Sequence, residues 1–305
     1  MLLNKMIYKI MIPVVLFGIS TGYAISKPIY IATSFPVQSI LVEITGNHAE
    51  IITLVSPGSS PHTFSPKPSQ VVKTQKADAL FFVSEYLDGW AANLSTKKKF
   101  KMIDLLPKSF QYPFEGGDHH EHHSKTGKNE SRHKSKKVID PHFWTDPLAV
   151  KAIVPIILKK LISVNPENEK IYKENASEFV KNLGILHSDL SAKMKSFAGE
   201  PVFLFHPSFR YFLKRYGLNY MGSIETSPGK EPSAEFTMKL IKKIKESKAK
   251  ALFTEPQLPS GPAKTIAEAA SLKLYVLDPI GGFEKRKKYF ELMQYNSDIF
   301  VKALK

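Results

Sequence analysis

Three histidines and two carboxylates stand at points where the chain is expected to leave a strand or enter a helix. They are His62 in SPGSSPHTFSPKPS, His142 in DPHFWTDP, His206 in LFHPSF, Glu255 in FTEPQ and Asp278 in VLDPIGG. The histidines lie beside prolines or within two residues of one, among aromatic side chains, which fixes the backbone and keeps water away. The chain contains no cysteine, so any metal it holds is bound through nitrogen and oxygen. Three imidazoles and one carboxylate form a four-donor set suited to Zn²⁺. Asp278 is the expected carboxylate, with Glu255 as an alternative ligand or an orienting group. Phe64, Phe143, Trp144 and Phe209 are expected to wall a dry pocket. Asp146, before Pro147, reads as a helix N-cap, and Asp140 is placed to orient an imidazole. His48 and His187 have no such surroundings.

A second kind of histidine occupies a polar tract at 116–137: His119, His120, His122, His123 and His133. That composition cannot bury a core, so the tract is expected to be disordered without metal and to bind additional zinc weakly as an accessory.

Only tertiary structure could gather residues so far apart in sequence. Near-continuous apolar runs read as strands covered on both faces: 28–35, 50–56, 79–84 and 101–106, then 201–207, 218–224, 249–256 and 272–278. Helical segments separate them at Val37–Thr45, Ser69–Ala77, Tyr86–Leu94, Phe209–Tyr216, Ala234–Ser247, Ala263–Ser271 and Lys285–Leu304, and another begins at Pro147. Strand–helix–strand alternation implies parallel sheets with right-handed crossovers. Between the halves, Ile171, Phe179, Leu183, Leu186, Leu190 and Met194 keep a spacing of three or four. With Asn165 as N-cap and Pro166 at the first helical position, a single helix over 166–198 is expected; Gly184 is the point where it could instead break in two.

The fold class is therefore α/β: two (β/α)4-like lobes with parallel sheets, joined by one long rigid helix. The N-terminal lobe spans 25–165 and the C-terminal lobe 199–305. Three of the four sites His62, His142, His206 and Asp278 fall at carboxyl ends of strands, where open parallel sheets bind ligands. The metal site is expected in the interlobe cleft.

Residues 1–24 carry Lys5 and Lys9, a short apolar stretch from Ile10 to Ile19, and the small residues Gly22 and Ala24. This reads as a cleaved secretory signal peptide, its apolar stretch about half the roughly 20 residues a spanning helix needs. A chain of 305 residues can hold itself together by its core without disulfides. The formal charge of +15 is spread as single lysines and two short runs, without a nucleic-acid-binding motif, so a solvated basic surface is expected and nucleic acid is not.

SPHTFSPKPSQ, DPHFWTDP, the long helix, HPSFRYF, EPS at 231–233, FTEPQ and LDPIGG together resemble the zinc-specific solute-binding proteins of bacterial ABC transporters, within a cluster that also includes manganese binders. The resemblance covers essentially the whole mature chain. It implies two lobes with the metal between them and maps the ligands onto His62, His142 and His206, with Asp278 at the position of the family carboxylate. In zinc members the fourth position is carboxylate or water, so Asp278, Glu255 and water all remain open. Manganese binders carry a carboxylate where this chain has His206, which favours zinc.

The implied function is capture of zinc in the periplasm and delivery to an inner-membrane ABC permease with its cytoplasmic ATPase, by a monomer that is not an enzyme. The alternatives are a manganese-binding member of the same cluster and an exported zinc-dependent hydrolase. An adhesin or structural protein with incidental metal is a third reading. Against the hydrolase stand the lack of an HExxH motif and the lack of an obvious general base other than Glu255.

Overall fold

In the computed structural model, which describes residues 26–114, 138–225, 229 and 232–305, eight short strands form two sheets. The first half contains β1 (Ile29–Ala32), α1 (Phe35–Thr45), β2 (Glu50–Thr53), α2 (Pro68–Lys76), β3 (Ala79–Phe82), α3 (Glu85–Asp88), β4 (Lys99–Lys101) and α4 (Met102–Leu105). Then come α5 (Pro147–Val164) and α6 (Glu169–Met194). The second half contains β5 (Pro201–Leu204), α7 (Arg210–Arg215), β6 (Asn219–Ser223), α8 (Ala234–Glu246), β7 (Ala251–Thr254), α9 (Ser260–Ala269), β8 (Lys273–Val276) and α10 (Tyr289–Leu304). The proposed signal peptide and the histidines at 119, 120, 122, 123 and 133 lie outside the described residues.

Both sheets are wholly parallel and share one topology, β2-β1-β3-β4 and β6-β5-β7-β8. Strand order reverses between β1 and β3 and again between β5 and β7. Connections leave in opposite directions at such a reversal and open a crevice at the carboxyl ends.

The inner strands β1, β3, β5 and β7 are largely apolar because both of their faces are covered, whereas the flanking strands carry exposed polar residues such as Glu50, Lys99 and Lys273. Tyr30, Ala32, Phe81, Val202, Leu204 and Phe253 turn into one core cluster that runs through both halves of the molecule. Their neighbours turn the other way: Ile31, Leu80 and Phe82 into a smaller cluster on the first sheet, Phe203, Phe205 and Leu252 into another beneath α8 and α9. The two-residue period of a strand makes this division.

The connecting helix runs unbroken. α6 is flanked by single 3-10 turns at Pro166–Asn168 and Lys195–Phe197, so the helical path covers 166–197. Tyr172, Ala176, Phe179, Leu183, Leu186, Leu190 and Met194 form its buried stripe, which packs against α5, α1 and α10. Gly184 causes no break: it faces α5, where an added Cβ would sit 3.4 Å from the Lys151 ammonium.

Three expected elements differ. The run at 101–106 ends as a strand at Lys101 and coils into α4, because Met102, Ile103 and Leu106 bury themselves at helical rather than alternating spacing. The helix expected from Tyr86 to Leu94 is the single turn α3 followed by a 3-10 segment, Gly89–Asn93. The last helix begins at Tyr289 rather than Lys285. Lys285 has φ of 63°, which no helix accommodates, and Glu291 turns back to accept from the Lys287 and Lys288 amides. No helix among the described residues is long and apolar enough to cross a membrane.

Candidate metal centre

The loop after β2 carries His62, and the first half of the chain fastens it. Trp90 Nε1 donates to the Pro61 carbonyl at 2.9 Å, and His62 Nδ1 lies 3.2 Å from the Tyr86 carbonyl in α3. The sharp exit of β5 carries His206, whose Nδ1 stands 3.5 Å from Glu255 Oε1 at the end of β7. β5 and β7 are neighbours at the strand reversal, which is why these two residues face each other.

His142 lies early in the chain but is held largely by the second half. Its segment is anchored by Tyr211 Oη donating to the Asp140 carbonyl at 3.2 Å and by Arg215 paired with Asp146 at 2.7 Å. Trp144 Nε1 donates to the Pro279 carbonyl at 2.8 Å, and Tyr289 Oη donates to the Trp144 carbonyl at 2.7 Å. Asp140 Oδ1 accepts from the His142 amide and lies 2.8 Å from His142 Nδ1. Asp146 caps α5 by accepting from the Leu148 amide, as its place before Pro147 indicated.

These three segments bring the imidazoles together. Ring centroids are 5.7 Å apart for His62 and His142, 5.1 Å for His62 and His206, and 5.0 Å for His142 and His206. Each ring offers a nitrogen within 4.8 Å of the other two, and among the described residues these three form the one such group of metal-ligating side chains. In each ring Nδ1 faces an oxygen. For His62 and His206 the opposite nitrogen, Nε2, is buried without a hydrogen-bond partner. A buried polar atom left unpaired in this way is a site prepared for something to fill it.

The electrostatics favour the uncharged form of His62 and His142. Burial pushes His62 well below the usual imidazole range, and the neighbouring His206 and His142 push it further, against the Tyr86 carbonyl. Burial also lowers His142, with the Asp140 carboxylate opposing. Neutral imidazoles are the form that ligates metal.

Asp278 does not join them. It is fully buried, and its oxygens are already taken. Oδ1 accepts from Gln257 Nε2 at 2.8 Å and from the amides of Ile280 and Gly281, and Oδ2 pairs with Arg286 at 2.9 Å. Its position after β8 suggested a ligand; the donors around it are what hold it back. Glu255 lines the site, with Oε1 accepting from Ser208 Oγ at 2.5 Å.

The dry wall also differs from expectation. Pro61, Leu87, Leu258, Pro279 and Ile280 line the cavity. Of the four aromatics, Trp144 meets the His142 ring at 5.4 Å, Phe143 lies in the core with its ring 5.9 Å from that of Trp144, Phe64 packs on Trp90, and Phe209 lies in the core against Phe212 and Phe300. His187 stacks on Tyr216 away from the site. Sequence reasoning missed Ser208, Arg286 and the Tyr86 carbonyl, and passed over Gln257. HPSF and EPQ place Ser208 and Gln257 two residues from residues already singled out; a backbone carbonyl leaves no sequence signal.

The comparisons with known proteins agree with this architecture. The zinc-binding protein AdcA of Streptococcus pyogenes is 28% identical, over 87% of this chain and 54% of its own length. The chain thus spans about half the length of the first curated relatives it matches. A protein of Thermotoga maritima is 31% identical, over 90% of this chain and 92% of its own. Among solved structures, ZnuA superposes with a TM-score of 0.77 at 25% identity, covering 92% of this chain and all of its own. A Zn(II)-bound variant of AdcAII of Streptococcus pneumoniae superposes with a TM-score of 0.76 at 25% identity, covering 92% of this chain and 99% of its own. The family described as zinc-uptake complex component A, periplasmic, matches residues 31–303, and the chain belongs to that family.

Proposed function

We propose that this protein captures Zn²⁺ outside the cytoplasm and delivers it to the membrane permease of an ABC-type importer powered by a cytoplasmic ATPase. His62, His142 and His206 are the ligands. The observation that carries this reading is the convergence of three imidazoles from distant segments, with Nδ1 of each turned to an oxygen and a nitrogen of each left for the others' common centre. An oxygen behind each ring fixes its orientation and strengthens its donor nitrogen, as in carboxylate–histidine–zinc arrangements. Ligands on both sides of the cleft couple binding to closure, and release requires the permease to move a ligand-bearing loop.

The donor set supports zinc over manganese, since imidazole suits zinc and the nearest carboxylates are otherwise engaged. A carrier rather than a hydrolase is supported by the family to which the chain belongs; Glu255 Oε1 accepts from Ser208 Oγ. We read residues 1–24 as a cleaved signal, the mature protein as a periplasmic monomer, and the histidine tract, with His119, His120, His122, His123 and His133, as an accessory zinc collector.

Competition titration of the mature protein with a chromogenic chelator tests this. One zinc is expected to bind tightly to a form lacking 118–137, and His142→Ala is expected to weaken it by about a hundredfold or more. Equal affinity in the two proteins overturns the assignment.

A further inference from the structure

Asp140 is fully buried behind His142. Its Oδ1 accepts from the His142 amide at 3.0 Å and lies 2.8 Å from the ring Nδ1. Its Oδ2 is buried without a hydrogen-bond partner. Arg210, the first residue of α7, brings Nη1 to 3.9 Å from that oxygen. This is close enough for charge to be felt and too far for a hydrogen bond.

Pro113 holds the guanidinium at that distance. Its carbonyl accepts from the same Nη1 at 3.0 Å. Pro113 lies opposite Ile139 in a short antiparallel bridge, where the Phe114 amide donates to the Val138 carbonyl and the Asp140 amide to the Tyr112 carbonyl, both at 2.8 Å. Asp140 and the carbonyl that restrains Arg210 therefore belong to one ribbon. Tyr211 Oη, on α7, accepts from the Tyr112 amide at 3.3 Å and donates to the Asp140 carbonyl at 3.2 Å, which ties the ribbon to the helix that carries Arg210. Backbone contacts on both sides thus set the separation of guanidinium and carboxylate.

Resting on the zinc reading above, we propose that Arg210 weakens the hold of the site on zinc by acting through Asp140. It is a positioning residue: it faces the carboxylate, not the metal. A carboxylate behind a ligating imidazole makes that ring a stronger donor. The permanently charged guanidinium draws the carboxylate's charge toward Oδ2 and away from His142. Burial of Asp140 leaves little water to screen this effect. The guanidinium also repels a dication bound at the far side of the ring. Pro113 keeps the contact partial, so that Asp140 stays on His142. A carrier has to give up its cargo, and a tempering charge loosens zinc without removing a ligand.

The test is zinc affinity by chelator competition and zinc release into excess chelator, measured on the mature protein. Arg210→Gln is expected to bind zinc about tenfold more tightly and to release it correspondingly more slowly. Arg210→Lys, which keeps the charge, is expected to stay near the wild type. In an Asp140→Asn background, Arg210→Gln is expected to change little, since both act through one carboxylate. A residue that only supported the ribbon would give the opposite sign, weaker zinc binding with a lowered melting temperature. Arg210→Met is a second neutral variant with the same expectation, should Arg210→Gln not fold. Unchanged or weaker binding in a folded neutral variant overturns the proposal, as does tightening that persists in Asp140→Asn. Failure of the wild type to bind zinc tightly overturns the transport reading itself, a separate result from either.

Discussion

Each imidazole depends on the oxygen behind it. Asp140 holds His142 through both ring and amide. Asp140→Asn keeps the shape but can present an N–H where an acceptor is needed, so zinc affinity is expected to fall by about 10- to 100-fold in a chelator competition. Protons compete for the same rings. The folded-state values of His62 and His142 lie below the ordinary 6.5, so near and below that pH the unfolded chain binds more protons than the folded one. The imidazole contribution to stability is therefore full above about pH 6.5 and is lost as pH falls through the depressed folded values. Thermal melts of the metal-free protein between pH 7.5 and 5 check this. Residue identity was the most legible part: His62, His142 and His206 stood out by their prolines and aromatics. The engagement of Asp278 did not, because Arg286 reaches it through a loop whose path follows from packing.

Among the elements, α6 was read correctly as one helix because its apolar stripe continues at helical spacing across Gly184. The glycine is a weak point rather than a requirement. Gly184→Ala would place a methyl against the flexible end of Lys151 at 3.4 Å and is expected to stabilise the protein by up to about 1 kcal/mol, visible as a raised melting temperature. The short elements were less legible. In 101–106 the same apolar residues serve a strand or a helical turn, and the choice fell to what they pack against. α3 is a single turn because its task is local: Asp88 accepts from Thr33, Val83 and Ser84, tying the end of β1 to that of β3 beneath the loop that bears His62.

At the scale of the molecule, the two halves meet closely at Gly281 and Gly282, which follow Ile280 of the cavity wall. Gly281, with φ of 80°, would place an added Cβ 3.0 Å from Phe35 of the first half and 3.1 Å from the Arg286 carbonyl. Gly282 would meet Pro57, in the loop that carries His62, at 3.0 Å. Gly281→Ala is expected to strain the backbone by about 1–2 kcal/mol and to force the halves apart, so that both the melting temperature and zinc affinity fall. Retained affinity in a folded Gly281→Ala protein would mean the ligands close without this contact. One continuous core cluster is shared by both sheets and by α6.

The amino-acid sequence by itself determined the parallel α/β class, the long connecting helix, the absence of thiolate ligands and the three imidazoles. Those follow from composition and local periodicity, which each segment carries alone. Tertiary structure alone decided that residues from the second half grip the His142 segment, that Arg286 claims Asp278, and that Gln257 faces the cavity with an unpaired oxygen. Each of those outcomes is a competition between donors and acceptors far apart in the chain. Only the folded geometry determines which partner is within reach.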